Sequence, residues 1–176
     1  MALRNILTGS EPGLNKICRP VTSFDPRLHQ LLDDMGDTLG QANGVGLAAP
    51  QVGVLRRAVI VLETNVPEGE PERLIELINP TIIECSGEQN GPEGCLSVPG
   101  EYGLVKRPMN VTVRAQDRFG DWFEVSGTGL TARCFCHELD HLEGIVFTSL
   151  CERMLTEEEL ASGEYRDGED EAVDED

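Results

Sequence analysis

Cys136-His137-Glu138-Leu139-Asp140-His141 decides how this chain is read. On a helix, residues four apart share a face, so His137 and His141 can present two imidazoles to one divalent metal. Glu138 stands beside them, placed to hold or deprotonate a water on that metal. Thr131 to Glu143 contains no Gly or Pro, and Gly144 falls where a helix would stop. Its apolar face, Phe135, Leu139 and Leu142, is expected to meet strands. Two histidines leave a catalytic centre incomplete, because such sites usually have three protein ligands and one open position.

The third ligand is sought along the chain. Zinc peptidases of the longer His-Glu-x-x-His-x-x-Gly-x-x-His type take it three residues after the glycine. Here that position is Phe147, which cannot ligate. Glu157, Glu158 and Glu159 lie in a solvated segment and rank low. Cys95 is better placed, in Gly91-Pro92-Glu93-Gly94-Cys95-Leu96-Ser97-Val98-Pro99-Gly100, where Gly and Pro let the backbone bend a thiolate against a helix. Cys/His/His with water suits a borderline-soft metal such as Zn(II) or Fe(II). Cys134 is the rival thiol, one turn before His137, but with the histidines it would make a nearly linear row; a place in the pocket wall suits it better. Cys136, Cys18, Cys85 and Cys151 read as small packing residues.

Outward from the helix, strands precede it. Met109 to Gln116 alternates, with Val111, Val113 and Ala115 on one face, and Asp117-Arg118-Phe119-Gly120 turns it into Trp122 to Val125. Ala58 to Leu62 is a buried strand, and Leu74 to Cys85 is strand material interrupted at Asn79-Pro80. Residues 63–72 form a polar loop. A helix begins at Asp25 as cap with Pro26 first, carries Leu28, Leu31, Leu32, Met35 and Leu39, and ends near Asn43 or Gly44. Gly36 and Gly40 within it suggest close packing. Residues 1–23 are irregular, pinned by Leu3, Ile6, Leu7 and Ile17. Gly44-Val45-Gly46-Leu47-Ala48-Ala49-Pro50-Gln51 lacks the pattern of a phosphate loop. It reads either as a tight crossing under a sheet or as a substrate-side wall with Gln51 pointing inward. The fold class expected is α+β, with mixed or antiparallel strands packed around a central helix carrying the His-Glu-x-x-His pattern and a second helix near the start.

The composition fits one domain of 176 residues, 39% hydrophobic and 26% charged. Six irregularly spaced cysteines argue against a disulfide framework and for a reducing, cytoplasmic setting. No apolar run is long enough for a membrane span. The formal net charge is −18. Residues 152–176 carry 12 acidic and 2 basic side chains, so residues 1–150 are expected to be the catalytic unit and 151–176 an acidic, disordered tail. Thr156 to Leu160 can start a short helix, with Thr156 as cap and Glu159 closing the box. No basic patch supports direct nucleic-acid binding.

Three segments together resemble the peptide deformylases: Gly44–Gln51 (GVGLAAPQ), Glu93–Ser97 (EGCLS) and His137–His141 (HELDH). The resemblance continues through Asn79-Pro80, Lys106-Arg107-Pro108 and Arg133, and covers roughly residues 6–150. It implies a cytoplasmic hydrolase that removes the formyl group from N-formylmethionine at the start of nascent polypeptides and releases formate. It also implies Cys95, His137 and His141 as metal ligands, Glu138 as general acid/base, and Gln51 with the Leu96 N–H as donors to the developing oxyanion. Val45 and Cys134 would line the methionine pocket, with Gly46 and Gly94 also among the substrate-binding positions and the Gly94 backbone holding substrate as an added strand. Glu93 and Arg107 would be a buried pair bracing the cysteine loop. Fe(2+) is the native metal expected, with Zn(2+) or Ni(2+) in preparations, and the chain is expected to be a monomer with at most transient ribosome proximity. Two departures stand out. Cys136 replaces the Gln usual before the first histidine, and the C-terminal end is acidic where some relatives dock on ribosomal RNA through a basic helix. The competing readings are a metal hydrolase of another acyl group or peptide bond, and a structural metal closed by four protein ligands.

Overall fold

Ala58-Val59-Ile60-Val61-Leu62 is apolar at every position because both faces of its strand are covered. Val59 and Val61 pack on one side with Phe135 and Leu142. Ala58 and Ile60 pack on the other with Leu32, Met35 and Leu39. A helix therefore lies on each side of this sheet. The structure, a computed structural model, describes residues 2–64 and 66–165.

An extended arm leads into a single 3-10 turn, Pro12–Asn15. The expectation that four apolar residues pin this arm holds only for Ile6 and Leu7, which are half-buried. Leu3 is 55% and Ile17 70% exposed, and Leu14, Cys18 and Val21 are the buried anchors. An extended arm without period gives no face to bury, so the turn and main-chain bonds such as Cys18 N–H to Leu142 O (2.9 Å) fix it instead.

Helix α1 spans Pro26–Ala42; the Asp25 carboxylate accepts from the Leu28 N–H at 3.1 Å, and Asn43 closes the helix at φ 54°. Of its two glycines only Gly36 is closely packed, since an added Cβ would lie 3.4 Å from Leu74, whereas one at Gly40 would meet nothing within 4 Å.

Strand β1 is Gly46–Ala48, followed by one 3-10 turn at Ala49–Val52. Then come β2 Ala58–Glu63, β3 Arg73–Ser86, β4 Gln89–Cys95, β5 Val98–Arg107, β6 Asn110–Gln116 and β7 Trp122–Thr128, then α2 Leu130–Leu142 and α3 Glu157–Ser162. An antiparallel sheet runs in the order β1-β2-β3-β6-β7, and β4 and β5 form a separate antiparallel pair. This is a mixed arrangement with sheets flanking helices. The break expected at Asn79-Pro80 is a bulge within one continuous strand: Asn79 has φ 51°, and the register shifts between Ile78 and Thr81. Asn79 repays that conformation by bonding both the N–H and the carbonyl of Val21.

The largest difference from the sequence reading is Gly91–Gly100, which forms most of β4 and the start of β5 rather than a bent loop. Gly91 and Gly94 carry no side chain to alternate, so no strand pattern is visible; main-chain pairing to β5 makes the strand. Three further main-chain bonds extend this pair past residue 150: Glu152 N–H to Leu104 O, Leu104 N–H to Arg153 O and Leu155 N–H to Tyr102 O, at 2.8–2.9 Å. A boundary at 150 thus cuts through a paired segment. Thr156 and Glu159 form the expected capping box of α3. The stretch 166–176, expected to be disordered, lies outside the described residues. Among the described residues no helix is long and apolar enough to cross a membrane.

Ending the chain at Cys151 is expected to lower the melting temperature, and ending it at Leu155 to leave it unchanged. Thermal unfolding of the two truncated chains followed by circular dichroism checks this.

Candidate metal centre

α2 begins after Gly129, which takes φ 59°, and buries ten of its thirteen residues. His137 and His141 therefore project from a helix held on nearly all sides. Cys95 ends β4, where the pairing slips from Gly94–Tyr102 to Cys95–Val98. That irregularity is how this strand end meets the helix. The His137 and His141 Nε2 atoms lie 3.2 Å apart, and Cys95 Sγ is 3.4 Å from His141 Nε2. All three donor atoms fall within 4.8 Å of one another. A tetrahedral centre with nitrogen and sulfur bonds of ordinary zinc-like length has donor–donor edges of about 3.3–3.7 Å, so the two resolved spacings fit such an ion closely. The donor set joins two elements, and is not the His-Glu-x-x-His stretch by itself.

The rival thiols differ in kind. Burial first, and then the charge of Glu138, push the Cys134 thiol up to about 12; burial pushes Cys136 up to about 11. Both are only 6% exposed and pack in the core. Cys134 also lines the pocket beside Val45, as a wall. Of the cysteines expected to pack as small apolar groups, Cys18 is buried, but Cys85 is exposed and Cys151 half-buried. Cys85 sits in the outer stretch of β3, Thr81–Ser86, whose residues are all exposed.

Glu93, on β4, braces the ligands. Arg107 Nε and Nη2 donate to its two oxygens at 3.0 and 2.7 Å, Arg133 Nη1 donates at 3.1 Å, and His137 Nδ1 lies at 2.8 Å. Burial opposes ionisation of Glu93, but hydrogen bonds from His137 and Arg107 outweigh it and hold the carboxyl down to about 2. An ionised partner makes His137 Nδ1 the donor and leaves Nε2 free for a metal. Arg107 reaches on to Asp140 Oδ2 at 2.7 Å. Asp140 was not singled out from the sequence; its place between the two histidines, three residues after the first, was the available signal.

Glu138 is 3% exposed, and burial pushes its carboxyl up to about 7. Its Oε1 lies 4.0 Å from His137 Nε2, while Oε2 is buried with no hydrogen-bond partner among the described residues. A carboxyl with its pKa near the working pH is suited to proton transfer. Gly46 makes room for it: an added Cβ there would lie 2.7 Å from Glu138 Oε1. Gln51, 1% exposed, accepts the Ala48 N–H on Oε1 at 2.9 Å and aims Nε2 at Cys95 Sγ (3.4 Å) and Ser97 Oγ (3.1 Å).

A cavity of about 500 Å³ opens onto these groups, lined by Val45, Gly46, Gln51, Gly94, Cys95, Leu96, Cys134, His137 and Glu138. Nine of the ten site residues expected from the sequence thus share it. His141, 1% exposed, lies behind them. Tyr102 and Leu130 also line the cavity and were missed. Tyr102 lies against Gly94, where an added Cβ would come within 2.5 Å of its ring. Only strand pairing brings these two residues together, and the sequence carried no sign of it.

A family model described as polypeptide deformylase matches residues 3–156. The chain belongs to that family. It is 52% identical over 160 residues to a peptide deformylase of Caldicellulosiruptor bescii, covering 91% of this chain and 92% of that protein. A crystal structure of a peptide deformylase from Legionella pneumophila superimposes with a TM-score of 0.78 at 43% identity, covering 92% of this chain and 90% of that one. A Met-Ala-Ser-bound class I type b peptide deformylase from Acinetobacter baumannii gives a TM-score of 0.78 at 37% identity, covering 85% and 98%. These relatives match nearly their whole length, so the deformylase likeness extends well beyond the metal-site residues.

Two substitutions separate bracing from chemistry. Glu93→Ala leaves two buried guanidinium groups without their carboxylate, and a loss of roughly 3–5 kcal/mol is expected, read by thermal denaturation together with metal content. Gly46→Ala should keep the metal yet displace Glu138, lowering turnover by about tenfold or more, checked by steady-state kinetics beside metal analysis.

Proposed function

We propose that this chain hydrolyses the formyl amide of N-formylmethionine at the start of nascent polypeptides, through a metal held by Cys95 at the end of β4 and by His137 and His141 on the helix that carries His-Glu-x-x-His. The observation that carries this reading is the convergence of a Cys/His/His donor set, a buried carboxyl with one oxygen unpartnered among the described residues and a side-chain amide on one cavity, in a chain of the deformylase family.

A bound divalent metal supplies Lewis-acid polarisation and a more acidic water. Fe(2+) is the native ion in this reading, with Zn(2+) or Ni(2+) able to take its place, because one thiolate and two imidazoles suit all three. The remaining work belongs to the chain's own residues. Glu138 takes the proton from the attacking water and returns it to the leaving nitrogen, giving formate and a free amino terminus. Gln51 Nε2 and the Leu96 N–H donate to the oxygen on which charge develops. Cys134 and Val45 wall the methionine side chain, and the main chain at Gly46 and Gly94 flanks the peptide. The A. baumannii relative bound to Met-Ala-Ser supports a peptide with amino-terminal methionine as the class of molecule held. The partner is the emerging formylated chain, met by a monomer without direct contact to nucleic acid.

The retained Glu138 and the open cavity weigh against a closed structural metal, which needs neither. Iron-loaded protein prepared without oxygen should release formate from a formyl-methionyl dipeptide and leave its acetyl counterpart intact; equal turnover of both would make it a general acyl hydrolase. Cys95→Ala should lose tight metal binding. Glu138→Ala should keep the metal and lose more than about 10²-fold in turnover, and metal analysis with a formate assay reads both.

A further inference from the structure

An amide NH2 group has two hydrogens fixed in one plane, so binding one of them aims the other. In Gln51 the Ala48 N–H fixes which end of the amide is oxygen, and Nε2 then donates to Ser97 Oγ at 3.1 Å and faces Cys95 Sγ at 3.4 Å. Ser97 is fully buried and stands two residues beyond Cys95. The main chains of these same two residues are tied a second time. Leu7 N–H donates to Gln51 O at 2.7 Å, and Gly9 N–H donates to Ser97 O at 2.9 Å. The amino-terminal arm thus closes a ring of hydrogen bonds running from the arm to Gln51, to Ser97 and back. It is itself fastened to α1, by Arg4 N–H to Thr38 Oγ1 (3.0 Å) and the Arg4 guanidinium to buried Asp34 (3.0 Å).

We propose that Ser97 is a positioning residue for deformylation: its hydroxyl, with the Leu7 and Gly9 amides holding the backbones, sets the plane of the Gln51 amide so that the second N–H faces the thiolate and the reacting carbonyl oxygen. Ser97 does not touch substrate; it acts through Gln51. The inference rests on the deformylation reading. Losing an oxyanion donor outright costs about 10²–10³ in turnover. A misaimed donor costs less.

The test compares Ser97→Ala, Gln51→Ala and the double variant, as iron-loaded full-length protein. Ser97→Ala is expected to lower kcat roughly tenfold, with KM within about twofold and metal content unchanged. In the Gln51→Ala background the same change should add nothing, because its route is gone. Leu7→Pro, which deletes one strap donor without touching the buried hydroxyl, should reproduce the kcat loss in milder form. Protein loaded with Co(II) gives a second readout: the thiolate-to-cobalt absorption band should shift in Ser97→Ala and in Gln51→Ala alike. Wild-type turnover in Ser97→Ala, or a loss that adds to that of Gln51→Ala, overturns the proposal. If the wild-type protein releases no formate, the deformylation reading fails, and an unshifted cobalt band in Ser97→Ala independently removes Ser97 from the control of Gln51.

Discussion

A single buried carboxylate has to satisfy a helix and a strand pair at once. Glu93 receives Arg107 from β5 and Arg133 and His137 from α2, while standing two residues before Cys95 on β4. Taking a carboxylate and two guanidinium groups out of water is expensive, and a buried ion pair is weak evidence of net stability. What such a network provides here is geometry. With its oxygens saturated by donors from both elements, Glu93 admits few alternative dockings of β4 on α2, and the distance from thiolate to imidazoles is thereby set. The same carboxylate fixes the His137 tautomer. Asp140 extends the network by taking the remaining side of Arg107, so the last turn of the ligand helix is also held.

The central sheet plays a different part. β2 is covered on both faces, and α1 and α2 are held apart by it rather than packed on each other. β1 lies at the edge of this sheet, and its short strand carries Gly46 past Glu138 with no side chain between them. One side of the buried Glu138 carboxyl is therefore closed by backbone, which cannot rotate away. Burial on this scale raises its proton affinity toward neutrality, where a group can both accept and return a proton.

Much of this was legible in the chain. Helix α1 announced itself through Asp25, Pro26 and its leucine spacing, and α2 through the absence of breakers between Thr131 and Glu143. Val111, Val113 and Ala115 marked β6 because one face of that strand is buried. The ligands were legible as chemistry, since two histidines on one helical face call for a third donor. What escaped was whatever depends on pairing across the chain. β4 hides because Gly91, Pro92 and Gly94 carry no alternation, and its partners lie ten or so residues away. For the same reason the neighbours of Gly94 and Gln51, Tyr102 and Ser97, could not be assigned. Leu3 and Ile17 misled in the opposite direction: apolar letters in an extended arm do not say which side faces inward. The bulge at Asn79 looked like an interruption of the strand because a proline inside a strand cannot donate to the ladder.

The strand pair that carries Cys95 is completed by residues 152–155, which join β5 along Tyr102–Leu104. In the order of synthesis these residues emerge some fifty positions after β5 and about ten after His141. Until they leave the ribosome, β5 keeps an open edge with unpaired amides and carbonyls, the kind of surface that invites pairing with other chains. All three ligands are by then already outside. The strand pair that aims Cys95 is therefore finished only by residues that follow all three ligands in the chain.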